Sequence, residues 1–149
     1  MLAGIAAAGV WAAAEPALGR FFRVPYSDLR LLQGLTGRGP RTALALHLAN
    51  GALFGAAFER AGGRGVVRGL VAAQAENLAL WPGMAIVDRV HPDRRAGAWP
   101  PLLGNARVFA YEVTVHAFFG AVLGLLTRRA PRPAAGSRVP GPRSPRSDR

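Results

Sequence analysis

Four apolar stretches of near-bilayer length leave this chain few folds to choose from: Leu2 to Leu18, Ala43 to Phe58, Val66 to Val87 and Val108 to Thr127. At about 1.5 Å of rise per residue, helices of this size cover most of a hydrocarbon layer roughly 30 Å thick. The pattern predicts an all-α fold, a four-helix transmembrane bundle with spans over 2–19, 42–59, 65–87 and 106–127. A soluble helical bundle competes with it, because the first two stretches are short and alanine-rich. The span edges argue for the membrane. Phe21, Phe22, Tyr26, Trp81 and Trp99 fall near them, where amphipathic rings collect at headgroup depth, and arginines cluster just outside. Ala12-Ala13-Ala14 resembles a signal-peptide cleavage site, but no positive residue precedes the apolar run and Pro16 follows the supposed cut. The first stretch is therefore read as a span.

Composition agrees with a membrane and removes several chemistries. Only 18% of the 149 residues are charged, against roughly 25% in an average soluble domain. There is no cysteine, which excludes disulfide scaffolds, zinc-thiolate sites and cysteine nucleophiles. All 19 basic residues are arginine, so a P-loop lysine and a pyridoxal Schiff base are excluded as well. The net charge of +11 is mostly a tail: residues 128–149 hold 7 arginines and 1 aspartate among five prolines. Residues 130–149 read as a disordered Arg/Pro-rich arm beside a hydrophobic span, a partner for anionic lipid rather than nucleic acid.

The connectors carry their own signals. Ser27-Asp28 ahead of Leu29, Leu31 and Leu32 predicts a short N-capped helix over 27–35, lying in the interface. Gly62-Gly63-Arg64-Gly65 reads as a tight basic turn, and 88–105, with Pro92, Pro100 and Pro101, as an extended loop.

The two halves of the chain match. A shift of 61 places Gly4 on Gly65, Ala8 on Gly69 and Glu15 on Glu76; a shift of 69 places His47 on His116, Gly51 on Gly120 and Gly55 on Gly124. Residues 1–60 and 61–129 thus read as two helical hairpins, each with small residues and then Glu on one helix and His-x3-Gly-x3-Gly on the next. Two helices per repeat make the copies parallel about an axis along the membrane normal.

Ionisable residues within spans are rare and usually face the protein interior. Here they are Glu15, His47, Glu76, Glu112 and His116, accompanied by Asn50 and Asn77. The depths of Glu15 and His47, and of Glu76 and His116, predict a Glu-His pair inside each hairpin. Gly4, Gly51, Gly55, Gly65, Gly69, Gly120 and Gly124 lie on the same stripes and predict close helix crossings, with the polar groups as glue between helices. Pro16 cannot donate to the carbonyl of Ala12 and predicts a kink beside Glu15.

Two functional classes follow. The first is a structural or accessory membrane subunit held together by polar interhelical contacts, with another membrane protein or a second copy as its partner. The second is a small proton-coupled or cation/solute transporter or channel component that uses the intramembrane Glu and His groups. The same groups include the ligand types of di-iron carboxylate bundles, although Glu112-x3-His116 departs from the Glu-x-x-His spacing those sites use. No cofactor is implied, and no catalytic residue is assigned. The four serines and four aspartates all lie away from span centres, and His91-Pro92-Asp93-Arg94-Arg95 reads as an exposed interfacial loop.

The Arg-only, Ala/Gly-rich, Pro-tailed chain resembles the uncharacterised small multi-pass integral membrane proteins of high-GC bacteria. The resemblance spans residues 1–129 in organisation. It implies a cytoplasmic-membrane location and transfers no functional residue. Five arginines in the first connector and four in the third are set against three in the second plus the seven of the tail. The tail tips the positive-inside balance toward cytoplasmic termini.

Overall fold

The computed structural model describes residues 1–128, and the tail reading for 130–149 lies outside them. The described residues are helical and contain no strand. Helix α1 spans Leu2–Phe22, α2 Asp28–Thr36, α3 Pro40–Arg60, α4 Val66–Leu80, α5 Met84–Val90, α6 Pro92–Arg95 and α7 Ala106–Leu126.

Local chemistry sets these boundaries. Pro16 is accommodated inside α1, which is helical through to Phe22 and stops where Arg23 turns left-handed (φ 54°), with the Val24 N–H donating to the Gly19 carbonyl at 2.9 Å. The Ser27 hydroxyl accepts from the Arg30 N–H and starts α2, as its position ahead of Asp28 predicts; Gly37 (φ 63°) ends it in a conformation that side chains rarely adopt. Pro40 opens α3 at the helical position where a missing N–H costs nothing. Asn105 caps α7 by accepting from the N–H groups of Arg107 and Val108.

The third apolar stretch is interrupted. Trp81-Pro82-Gly83 forms one tighter 3-10 turn between α4 and α5, since Pro82 cannot donate in the α ladder. Helical structure then continues to Val90 and resumes in α6, so the 88–105 connector is partly helical instead of extended throughout.

The long helices pack in the order α3, α1, α7, α4, and α2 lies across α3. Neighbours run antiparallel: Gly4, near the start of α1, meets Gly51 and Gly55 late in α3, and Gly69 early in α4 meets Gly120 and Gly124 late in α7. A Cβ on Gly4 would lie 2.0 Å from the Gly51 carbonyl oxygen, and one on Gly69 would lie 2.1 Å from that of Gly120. Both crossings bring backbone against backbone, as small-residue stripes allow. They also use residues that correspond under the two sequence shifts.

Three helical segments are long and apolar enough to cross a membrane: Leu2–Phe22, Val66–Val90 with its internal 3-10 turn, and Ala106–Leu126. The sequence pattern predicts four. The exception is α3, which has the same 21 residues as α1 and α7 but carries His47, Asn50, Glu59 and Arg60. Its polar groups offset its leucines and alanines.

At the end where α2 and the 81–105 segment meet, the chain builds a small second core. Tyr26, Trp99, Leu102 and His91 are buried there. The Trp99 ring stacks on His91 (4.2 Å between centroids, 9° between planes), meets Tyr26 edge-on and lies under the Arg30 guanidinium at 5.5 Å. Arg30 pairs with Asp93 at 2.8 Å and ties α2 to α6. Asp88 accepts from the backbone N–H groups of Leu102 and Leu103 and pairs with Arg94 at 2.7 Å; Arg94 also donates to the Trp99 carbonyl. Two expectations are corrected here. Tyr26 and Trp99 are core residues instead of headgroup anchors, and His91 is 0% exposed instead of part of a solvated loop cluster. Aromatic rings near a span end look alike in sequence whether they face lipid or a cap.

Candidate functional site

Between the helices lies a cavity of about 400 Å³. Its inner wall is Trp11 of α1 with Glu112 and His116 of α7; α3 adds His47 and Asn50, and α4 adds Glu76 and Asn77. Asp28 and two leucines of α2 close one end, and Trp81 and Met84 complete the apolar lining. Of the six residues Glu15, His47, Asn50, Glu76, Glu112 and His116, predicted as an intramembrane polar cluster, five therefore share one chamber.

Glu15, the sixth, does not line it. Its Oε1 accepts from the Asp28 backbone N–H at 2.8 Å and from Trp11 Nε1 at 3.3 Å. A buried carboxylate at the start of α2 satisfies exposed helix N–H groups and complements the dipole, so Glu15 fastens α2 onto α1. Beside it, Tyr26 donates its hydroxyl to Asp28 at 2.8 Å. Burial, reinforced by the Asp28 charge, pushes that hydroxyl well above its usual titration range and keeps it a donor.

Neither predicted Glu-His pair forms. His47 Nε2 donates to the Ala8 carbonyl at 3.1 Å, across the α1–α3 crossing. His116 Nδ1 donates to the Glu112 carbonyl at 2.8 Å and lies 3.4 Å from Glu112 Oε2, one turn back on its own helix. Matching depth is a weaker constraint than i,i+4 adjacency, which puts Glu112 and His116 on one face with no search needed. Trp11 separates the two histidines, its ring 5.2 Å from His47 and 4.6 Å from His116. The corresponding position in the second half is Ala72. Glu76 faces the chamber, whereas Glu15 is bonded to the start of α2.

The charge balance of the chamber opposes that of the chain. Asp28, Glu76 and Glu112 line it and no arginine does. Glu112 is 2% exposed, and its Oε1 has no hydrogen-bond partner among the described residues; His91 Nε2, Trp99 Nε1 and the Tyr111 hydroxyl share that condition, but of the four residues Glu112 alone lines the chamber. No cation among the described residues pairs with Glu76. The metal reading loses its geometry, since no group of three or more His, Asp or Glu side chains among the described residues converges on a point. Asp28, Trp81 and Met84 were not foreseen as lining residues. The capping signal at Ser27-Asp28 located the helix start, but only the packing of α2 over α3 brings Asp28 to the chamber.

The wall residues are held by further interhelical bonds. Gln74 donates to the Val113 carbonyl at 2.7 Å and accepts from Asn77 at 3.3 Å, fixing the α4 face against α7. A separate surface recess of about 610 Å³ between α1 and the α1–α2 connector is lined by Glu15 together with Arg20, Arg23 and Arg30 and is open along one side. Comparison with known proteins found no matching family model, no matching curated protein and no matching solved structure.

Proposed function

We propose that the chain is a small polytopic protein of the cytoplasmic membrane in which α1, α3, α4 with α5, and α7 all cross the bilayer as two parallel hairpin repeats. The chamber between them receives a small solute, as in a transporter or channel component. The observation that carries this reading is the buried, unpartnered Glu112 carboxylate oxygen in a chamber set among apolar helices. Leaving such an oxygen without a donor costs about 1–3 kcal/mol or more, a burden that a bound ligand removes. An ionisable residue facing the interior of a membrane bundle is by default a candidate for a solute or ion pathway. The fourth crossing is supported by α3 itself: it matches α1 in length, lies antiparallel along it, and exposes Leu44, Leu46 and Leu53 as a lipid-facing segment would. The repeat is supported by the paired glycine crossings. Both termini are proposed to be cytoplasmic, with the Arg-rich tail on anionic lipid.

A structural or accessory subunit is the second reading. It is favoured by the glycine crossings and by the His47 to Ala8 and Gln74 to Val113 bonds, which are the glue such a role needs. Reconstitution into liposomes with a panel of cations and small solutes separates the two. Flux that disappears in Glu112→Gln supports the chamber; a stable partner on co-purification with no flux supports the subunit.

A further inference from the structure

We infer that the chamber's ligand is a small organic cation with an apolar body, entering sideways between α3 and α4. The inference rests on the solute-site reading above and names its chemistry. Charge comes first. In a chain with 19 arginines and 8 acidic residues, the chamber is lined by three acids and no arginine, so an anion has no counter-charge there and a cation has a surplus. The two histidines leave this balance as it is while they are neutral: each then donates its single ring N–H to a backbone carbonyl, and its other ring nitrogen is an acceptor that a cation can use.

Shape and surface select among cations. Three ligating side chains do not converge, so a bare metal ion is poorly held. Apart from Asn50 and Asn77, the rest of the lining is Trp11, Trp81, Met84 and leucines, and aromatic faces attract ammonium groups as well as apolar rings. A volume of about 400 Å³ is at the lower end of small-molecule sites, enough for one ring and a short chain. The entry follows from the packing order: α3 and α4 are the two outer helices and do not form a packed pair. Leu46 and Leu80 flank the gap and are 42% and 60% exposed, Glu76 is half-buried beside it with the Asn50 amide facing it from α3, and Glu112 lies at the floor. The apolar body can thus stay in contact with hydrocarbon while the ammonium group passes Glu76 and reaches Glu112.

The test uses three probes of one shape: 2-phenylethylammonium, 2-phenylethanol and 3-phenylpropanoate. Binding to the detergent-purified full chain is followed by tryptophan fluorescence and by thermal shift. The ammonium probe is expected to bind at least about tenfold more tightly than the other two, the size of one charge-assisted hydrogen bond. Glu112→Gln should remove most of that preference while leaving alcohol binding unchanged. Glu76→Gln, at the half-exposed mouth, should weaken it in a chain whose fold is unaffected, and so serves if the buried substitution does not fold. Equal binding of the alcohol or the acid, or a preference untouched in both variants, overturns the cation assignment and leaves the solute chamber standing. Binding of none of the three by a folded chain overturns both.

Discussion

Replacing Gly4 by alanine probes the tightest glycine contact against backbone among the described residues, and Gly9 supplies its control on the same helix. A Cβ on Gly4 falls 2.0 Å from the Gly51 carbonyl oxygen and 2.9 Å from the Gly55 Cα, both backbone atoms that cannot rotate away. Contacts below 3.0 Å are essentially never seen for a Cβ, so α1 and α3 must separate or slide until that gap opens. Forcing one extra carbon into a packed contact typically costs about 1–3 kcal/mol. A Cβ on Gly9 meets nothing within 4 Å. Both substitutions gain the same helix propensity, about 0.8–1 kcal/mol, which cancels in the comparison. Gly4→Ala should therefore melt below Gly9→Ala by roughly 2–12 °C, at about 2–4 °C per kcal/mol for a chain of this size. Thermal denaturation of both variants and the parent in one detergent, followed by circular dichroism, measures the difference. Gly69→Ala should behave like Gly4→Ala, because its Cβ falls 2.1 Å from the Gly120 carbonyl oxygen. If Gly4→Ala and Gly9→Ala melt together, the helices do not cross backbone to backbone and the paired crossings are wrong.

Other outcomes follow from the same structure. Glu76→Gln and His116→Ala should couple in a double-mutant cycle by well under the about 3–5 kcal/mol that breaking a buried pair costs, because the two side chains share no bond; a coupling of that size would restore the pair. Gly34→Ala should destabilise the α2 end, since its Cβ lies 2.0 Å from His91 Nε2, and His91→Ala in the same chain should recover part of the loss in a melting experiment. Asp88→Asn removes a charged acceptor from the Leu102 and Leu103 amides, so both should lose hydrogen-exchange protection while the α1–α3 crossing keeps its own. Reporter fusions at Met1 and at Thr127 should score on one side of the membrane, because Met1 lies beside Glu59 and the ends of α1, α3 and α7 border one shallow recess.

The residues differ in how plainly they announced their roles. Small residues at fixed spacing ahead of Glu, and His-x3-Gly-x3-Gly, were enough to place both crossings, because a backbone contact demands glycine whatever surrounds it. Ser27 announced the α2 cap by the same kind of local rule. Roles that depend on distant packing were hidden. Glu15 looks like Glu76 in sequence, yet one carboxylate is spent on the α2 amides and the other is left at an open chamber. Tyr26, His91 and Trp99 sit beside polar, proline-rich connectors that suggest exposure, and only the docking of α2 onto α6 makes them a core. In α3 the leucines signal a span, while His47 and Asn50 hold its hydropathy below that of the other three.

That shortfall in α3 bears on biosynthesis. A segment too polar to partition alone leaves the translocon poorly unless an earlier helix offers it a lower-energy place. Helix α1 is such a place: it is made first, and it presents the Gly4 and Ala8 stripe that receives Gly51 and Gly55 and a backbone carbonyl for the His47 ring. On the four-crossing reading, α3 inserts as one half of a preformed docking event, so damage to the α1 stripe should be felt first as failed membrane integration of α3 during synthesis, and only afterwards as a less stable finished protein.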